Sequence, residues 1–168
     1  MTRADPGPHL AAVAAALAAP DQPRASFEAL EAALGAVVGH RLFTIMRHDA
    51  AEGWNARVHS SVPGTWPVGG RKPVVREHPW TERVLRRGEP WMGSGERAMR
   101  WAYPDHALIA AHGLGAALNL PVLWRGRTLG ALNLLHEAGW FAPADAEAGR
   151  PFAALAVPAL LPPPEATP

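Results

Sequence analysis

The stretch "GAALNLPVLWRGRTLGALNLLH", residues 115–136, constrains the fold more than any other. Two runs of strand formers flank Arg125-Gly126, a dipeptide suited to a tight turn, so the spacing predicts an antiparallel β-hairpin. Each strand carries one misfit, Asn119 in the first and Asn133 in the second. If Leu118, Leu120 and Val122 share a buried face with Leu132 and Leu134, a period of two puts both amides on the other face, beside Ala117 and Ala131. A strict two-residue turn would pair Asn119 with Leu132 and separate the amides, so the shared face requires an odd loop or a bulge. Small residues beside two buried amides leave room for a ligand, a water cluster or the backbone of a roofing loop, and the amides must find partners in one of these.

A second, shorter hairpin is predicted from "RLFTIMRH" and "WNARVHSS", joined by the turn-forming "DAAEG". In its second strand Trp54, Ala56 and Val58 alternate with Asn55, Arg57 and His59. Helices are predicted at "HLAAVAAALAA", which stops before Pro20, and at "SFEALEAALGAVVG". In the latter Ser26 is a candidate cap, Glu28 lies in the first turn, and Phe27, Leu30, Leu34, Val37 and Val38 recur at helical spacing. "HPWTERVLRRGEP" is expected to be a short helix and "WMGSG" an edge strand. "ERAMRWAYPDHALIAAHG" divides at Tyr103-Pro104 into two short helices, and "GWFAPADAEAGRPFAALAVPAL" forms a closing helix, bent or restarted near Pro151. Between Val62 and Val75, three prolines and three glycines predict a long irregular connection, and such loops are usually functional or disordered.

The 168 residues suit one domain, and sixteen basic against fifteen acidic side chains leave a formal charge of +1, too little for a phosphate backbone. Nucleic acid is not an expected partner. No cysteine is present, which removes disulfides, thiolate metal sites and thiol catalysis and fits a reducing compartment, here expected to be the cytoplasm. No apolar run approaches a membrane span, and "LAAVAAALAAP" reads as a surface helix because Asp5, Pro6 and Pro8 interrupt the basic start of a signal peptide.

The order of these elements, the strand ending in Pro121, the Gly-Arg turn, Gly130 opening the next strand and "FAPAD" before the last helix together resemble the GAF domain over residues 24–160. "WPVGGRKP", with Trp66 where similar chains have tyrosine, "DHALI" and "LNLLHE" resemble a group of small free-standing bacterial GAF proteins. The resemblance implies an α+β fold: an antiparallel sheet of five or six strands, helices on one face, and a loop-roofed pocket for a small molecule on the other. Residues 1–23 would be a helical extension and 161–168 a disordered tail. The cysteine used by bilin-binding members is missing, and its absence also weighs against the free methionine sulfoxide reductases of this fold.

Several residues are candidates for that pocket. Arg71 and the lone lysine, Lys72, follow two glycines and offer a planar fork and a mobile point charge for a carboxylate or phosphate, or else form a solvated loop tip. Trp66 and Trp80 flank that loop as candidate walls, and Arg57 is able to reach the same cavity from the polar face of its strand. Asp105 and His106 are candidates for proton transfer, with helix capping and a surface histidine as the plainer readings. His136 is expected to bond locally. The eight histidines form no recognised metal motif, and no cofactor is assigned; the fold allows a histidine-ligated haem for which the sequence has no signature. Three functions stay open: a sensor binding a small polar or anionic organic ligand, a cysteine-free enzyme using the same pocket, and an interaction module, such as a homodimer, with a vestigial pocket.

Overall fold

A computed structural model describes residues 3–161; the expected disordered tail, apart from Leu161, lies outside the described residues. Six strands form one antiparallel sheet: β1 (Leu42–Asp49), β2 (Trp54–Ser60), β3 (Arg71–Pro73), β4 (Trp91–Ser94), β5 (Ala116–Trp124) and β6 (Arg127–His136), in the order β3-β2-β1-β6-β5-β4. With its helices, this is the α+β architecture read from the sequence.

One face of the sheet carries α1 (Pro6–Ala16), α2 (Arg24–Val37), α5 (Pro143–Leu155) and α6 (Val157–Leu160). The apolar stripe of α2, Phe27, Leu30, Leu34 and Val37, meets Phe43 and Ile45 of β1, Leu118 and Leu120 of β5 and Leu132 and Leu134 of β6 in the larger core. Val13 brings α1, the expected extension, into the same core, and Arg3 bonds the buried Asp145 of α5 at 2.9 Å. Ser26 is not a cap. The helix begins two residues earlier, at Arg24, and Ser26 is buried within it, its hydroxyl donating to the Gln22 side chain. Pro151 lies inside α5 without ending it, and the restart comes after Ala156, with Pro158 in the first turn of α6.

The two hairpins decide which side chains face which layer. At the β5–β6 turn Arg125 and Gly126 both have positive φ, 51° and 74°, the backbone of a tight two-residue turn whose twist matches its strands. Pairing runs Trp124 to Arg127 and Leu123 to Thr128, then Val122 to Gly130, so Leu129 is an extra residue bulged from β6. The bulge restores the shared face: Asn119 stands directly opposite Asn133. A second bulge at Val58 sets Arg57 opposite Met46 and His59 opposite Ile45, so Asn55 and Arg57 face away from the helical layer while His59 reaches Glu31 of α2 at 2.7 Å.

The opposite face is roofed by residues 62–113. The connection expected to be irregular contains β3, a three-residue edge strand on β2 that pairs Lys72 with Asn55 and Arg71 with Ala56. The segment after Pro79 is one π-helical stretch, Thr81–Arg86, rather than an α-helix. Two short helices follow β4, α3 (Glu96–Ala102) and α4 (His106–Ala111), parted at Tyr103-Pro104 as the proline predicts. Trp66, Trp80, Val84, Trp91, Met99 and Ile109 form a second core against Ala117, Ala131 and Leu135 of the sheet. Among the described residues no helix is long and apolar enough to cross a membrane.

Candidate functional site

Between sheet and roof lies a cavity of about 390 Å³. Its floor is built by alternation: Leu42, Thr44 and Met46 of β1 and Asn133 and Leu135 of β6 all project from the face away from the helical layer. Trp66, Trp80, Tyr103 and Ile109 wall it. Three cations, Arg57, Lys72 and Arg100, and one carboxylate, Asp105, also line it, with Lys72, Arg100 and the indole of Trp101 exposed at the mouth. An apolar interior with a few convergent charges is the usual make-up of a small-molecule site.

The two asparagines are joined in one network. Trp80 Nε1 donates to Asn119 Oδ1 at 2.9 Å, Asn119 Nδ2 donates to Asn133 Oδ1 at 2.7 Å, and Asn133 Nδ2 donates to Thr44 Oγ1 at 3.3 Å. The Tyr103 hydroxyl lies 2.9 Å from Asn119 Nδ2 and 3.1 Å from its Oδ1. Asn119 has no solvent exposure and does not line the cavity; besides Asn133 of the sheet its partners are Trp80 and Tyr103 of the roof, so it anchors the roof to the sheet. Asn133 lines the cavity itself. Burial holds the Tyr103 hydroxyl in its neutral form, well above the ordinary tyrosine range, against a smaller opposing effect from its bond to Asn119.

Arg71 and Lys72 do not act as a pair. Alternation in β3 turns them to opposite sides: Lys72 lines the cavity, whereas the Arg71 guanidinium lies 4.2 Å from the centroid of the Trp54 ring and has no part in the lining. Lys72 Nζ is 3.5 Å from a carboxylate oxygen of Asp105, an exposed ion pair linking the edge strand to the start of α4. Asp105 occupies the N-cap position of α4, but its side chain makes no capping bond. His106 is turned away from the cavity, with Nδ1 3.2 Å from the Tyr103 carbonyl, so of the two candidates for proton transfer only Asp105 lines it.

Arg57 reaches the cavity and donates from Nη1 to the Pro67 carbonyl at 3.1 Å, fastening the roofing loop. Its Nε is buried and finds no hydrogen-bond partner among the described residues. Desolvation lowers the guanidinium pKa from its ordinary value, partly offset by the charge of Asp105. His136 bonds locally, as its position at a strand end suggested: it accepts from the Glu137 amide at 2.9 Å and stacks on Trp140, with ring centroids 3.6 Å apart. Among the described residues no cluster of three or more histidines and carboxylates is placed to hold a metal ion.

Sequence reasoning missed Thr44, Tyr103, Arg100 and Trp101. Thr44 did carry a signal, being a polar residue in an otherwise apolar stretch of β1, on the same phase as Leu42 and Met46. Arg100 carried none, because a Glu96–Arg100 pair at helical spacing reads as a solvated face.

No protein-family model matches the sequence, and no curated protein is similar to it. Solved structures are similar in fold. The GAF domain of a phosphoenolpyruvate-protein phosphotransferase from Coxiella burnetii superposes with a TM-score of 0.72 at 19% identity, covering 89% of each chain. The corresponding domain from Acinetobacter gives 0.72 at 13% identity, over 95% of this chain and 94% of that one. The GAF-B domain of DevS from Mycobacterium smegmatis gives 0.59 at 20% identity, over 83% and 93%.

Proposed function

Because this chain has the GAF-domain fold, we propose that it binds a small organic anion in the cavity between sheet and roof and acts as a sensor of that molecule. Domains of this fold commonly serve as sensory, ligand-binding modules. The observation that carries the reading is the lining: three cations to one carboxylate, set around an apolar interior. Arg57, partly buried in that setting, is less screened than a surface cation, so a carboxylate or phosphate arriving there gains more than it would at an open surface, with Lys72 and Arg100 adding solvent-screened charge at the mouth. The open cavity favours this over a vestigial pocket, and with His106 turned away only Asp105 of the two residues put forward for an enzyme lines the cavity.

The test is a thermal-shift screen of the full chain against organic anions and their neutral amides, followed by calorimetry on variants. Anions are expected to raise Tm where their amides do not. Lys72→Ala should weaken the best anion by about three- to tenfold, the scale of one partly screened charge-assisted contact. Arg71→Ala, on the other side of the strand, should change that affinity by less than twofold. Equal responses to anions and amides, or an Arg71→Ala loss as large as that of Lys72→Ala, would overturn the reading.

A further inference from the structure

We infer that the cavity selects ligands presenting an acceptor oxygen, such as a ketone or amide carbonyl, to its floor, with the anionic end of the same molecule at Arg57 and Lys72. The inference rests on the proposed anion-binding role of the cavity and specifies the chemistry of the other end.

Amide orientation is ordinarily a choice between two nearly indistinguishable atoms. Here Trp80 removes the choice. An indole N–H donates and cannot accept, so the Asn119 atom 2.9 Å from it must be the carbonyl oxygen. The Asn119 nitrogen therefore points at Asn133 and requires an oxygen there, 2.7 Å away. That in turn directs the Asn133 nitrogen to Thr44 Oγ1, at 3.3 Å. One donor-only ring sets the direction of three links.

Counting hydrogens along this relay shows what remains at the floor. Asn119 spends both of its amide hydrogens, on Asn133 and on the Tyr103 oxygen 2.9 Å away. Asn133 spends one of two, and Thr44, which receives it, keeps its own hydroxyl hydrogen. Among the described residues neither remaining hydrogen has an acceptor. Both side chains are buried, Asn133 at 4% exposure and Thr44 at 6%, and both line the cavity beside Leu42, Met46 and Leu135. Unspent donors in an apolar setting favour a ligand that brings an acceptor and disfavour an alkyl or ammonium end.

The separation of the two ends follows from the register. Thr44 pairs with Asn133, and Met46 pairs with Arg57, so Thr44 stands one strand from the arginine and Asn133 stands two strands from it. At the usual strand spacing the latter is about 10 Å between backbones, narrowed by the inward-reaching side chains. A compact oxo-acid or N-acyl amino acid has that reach.

The experiment uses the full chain labelled with nitrogen-15 and two probes of equal shape, 4-oxocyclohexanecarboxylate and cyclohexanecarboxylate. Titrations follow the Trp80 indole and Asn133 side-chain signals. The oxo-acid is expected to bind about tenfold tighter, the scale of one net hydrogen bond in a buried site. Asn133→Asp, which keeps the shape and the oxygen that Asn119 requires while its second oxygen takes the Thr44 hydroxyl hydrogen, leaves no donor at the floor and should reduce that preference to about threefold or less. Equal affinities at the cavity signals would overturn the inference while leaving the anion-binding reading intact. So would an oxo-acid preference that survives unchanged in Asn133→Asp. If neither acid moves those signals, both readings fall.

Discussion

Tyr103 is the single tyrosine of the chain, so its ionisation can be followed directly by ultraviolet absorbance. Its folded pKa lies above the ordinary value of 10.0, chiefly through desolvation. The sign follows: the stability this group contributes is complete below pH 10.0 and is lost as pH rises towards the folded value. No tyrosinate should appear near pH 10.0 in the native protein, and the absorbance change should come with unfolding. Normal titration near 10 would show the hydroxyl to be hydrated. The indole above it can be tested by Trp80→Phe, which removes the donor to Asn119 Oδ1 and should cost about 1–2 kcal/mol in urea denaturation. The asparagines were legible in the sequence because polar residues in apolar strands demand partners; their occupant was not, since nothing local indicates that Trp80 and Tyr103 fold back over them. Arg71 misled for the opposite reason. Side by side in a supposed loop, two cations share a target, but in an extended strand neighbours diverge, and the proline-rich context concealed the strand.

At the scale of elements, the β5–β6 ribbon was readable in full except for its bulge. The tight turn follows from Arg125-Gly126, and the shared face of the amides required a register shift somewhere, but its placement at Leu129 depends on contact with β1. Gly130, next to the bulge, shows that dependence: a Cβ there would lie 1.9 Å from the Met46 carbonyl oxygen. Gly130→Ala should therefore cost about 3 kcal/mol or more, because a strand backbone, unlike a side chain, cannot step aside. Chemical denaturation measures the loss, and a cost below 1 kcal/mol would mean that the β1–β6 contact is looser than described. The π-helical stretch at Thr81–Arg86 was not legible. Its hydrophobic spacing suits an ordinary helix, and only the need to set Trp80 over Asn119 and Val84 in the roof core distinguishes the two.

For the molecule as a whole, helix and strand signals sufficed for the α+β layering, while the cavity's charge arrangement emerged only from how the roof lies on the sheet. Next to Leu135 of the cavity floor but outside the lining, His136 is buried against Trp140, and desolvation, followed by the nearby charge of Arg41, lowers its pKa below the ordinary 6.5. Its contribution to stability is therefore complete above pH 6.5 and lost as pH falls through the depressed folded value. Thermal unfolding should show Tm falling below pH 6.5 by more in the native protein than in His136→Gln; parallel curves would remove the histidine from the account. A sheet one layer thick keeps the helical foundation out of reach of the cavity, so the positions that hold the fold and those that choose the guest are largely different sets. Selection can rewrite the second without disturbing the first, and lineages that long ago ceased to resemble one another letter by letter remain free to keep one frame and trade its tenants.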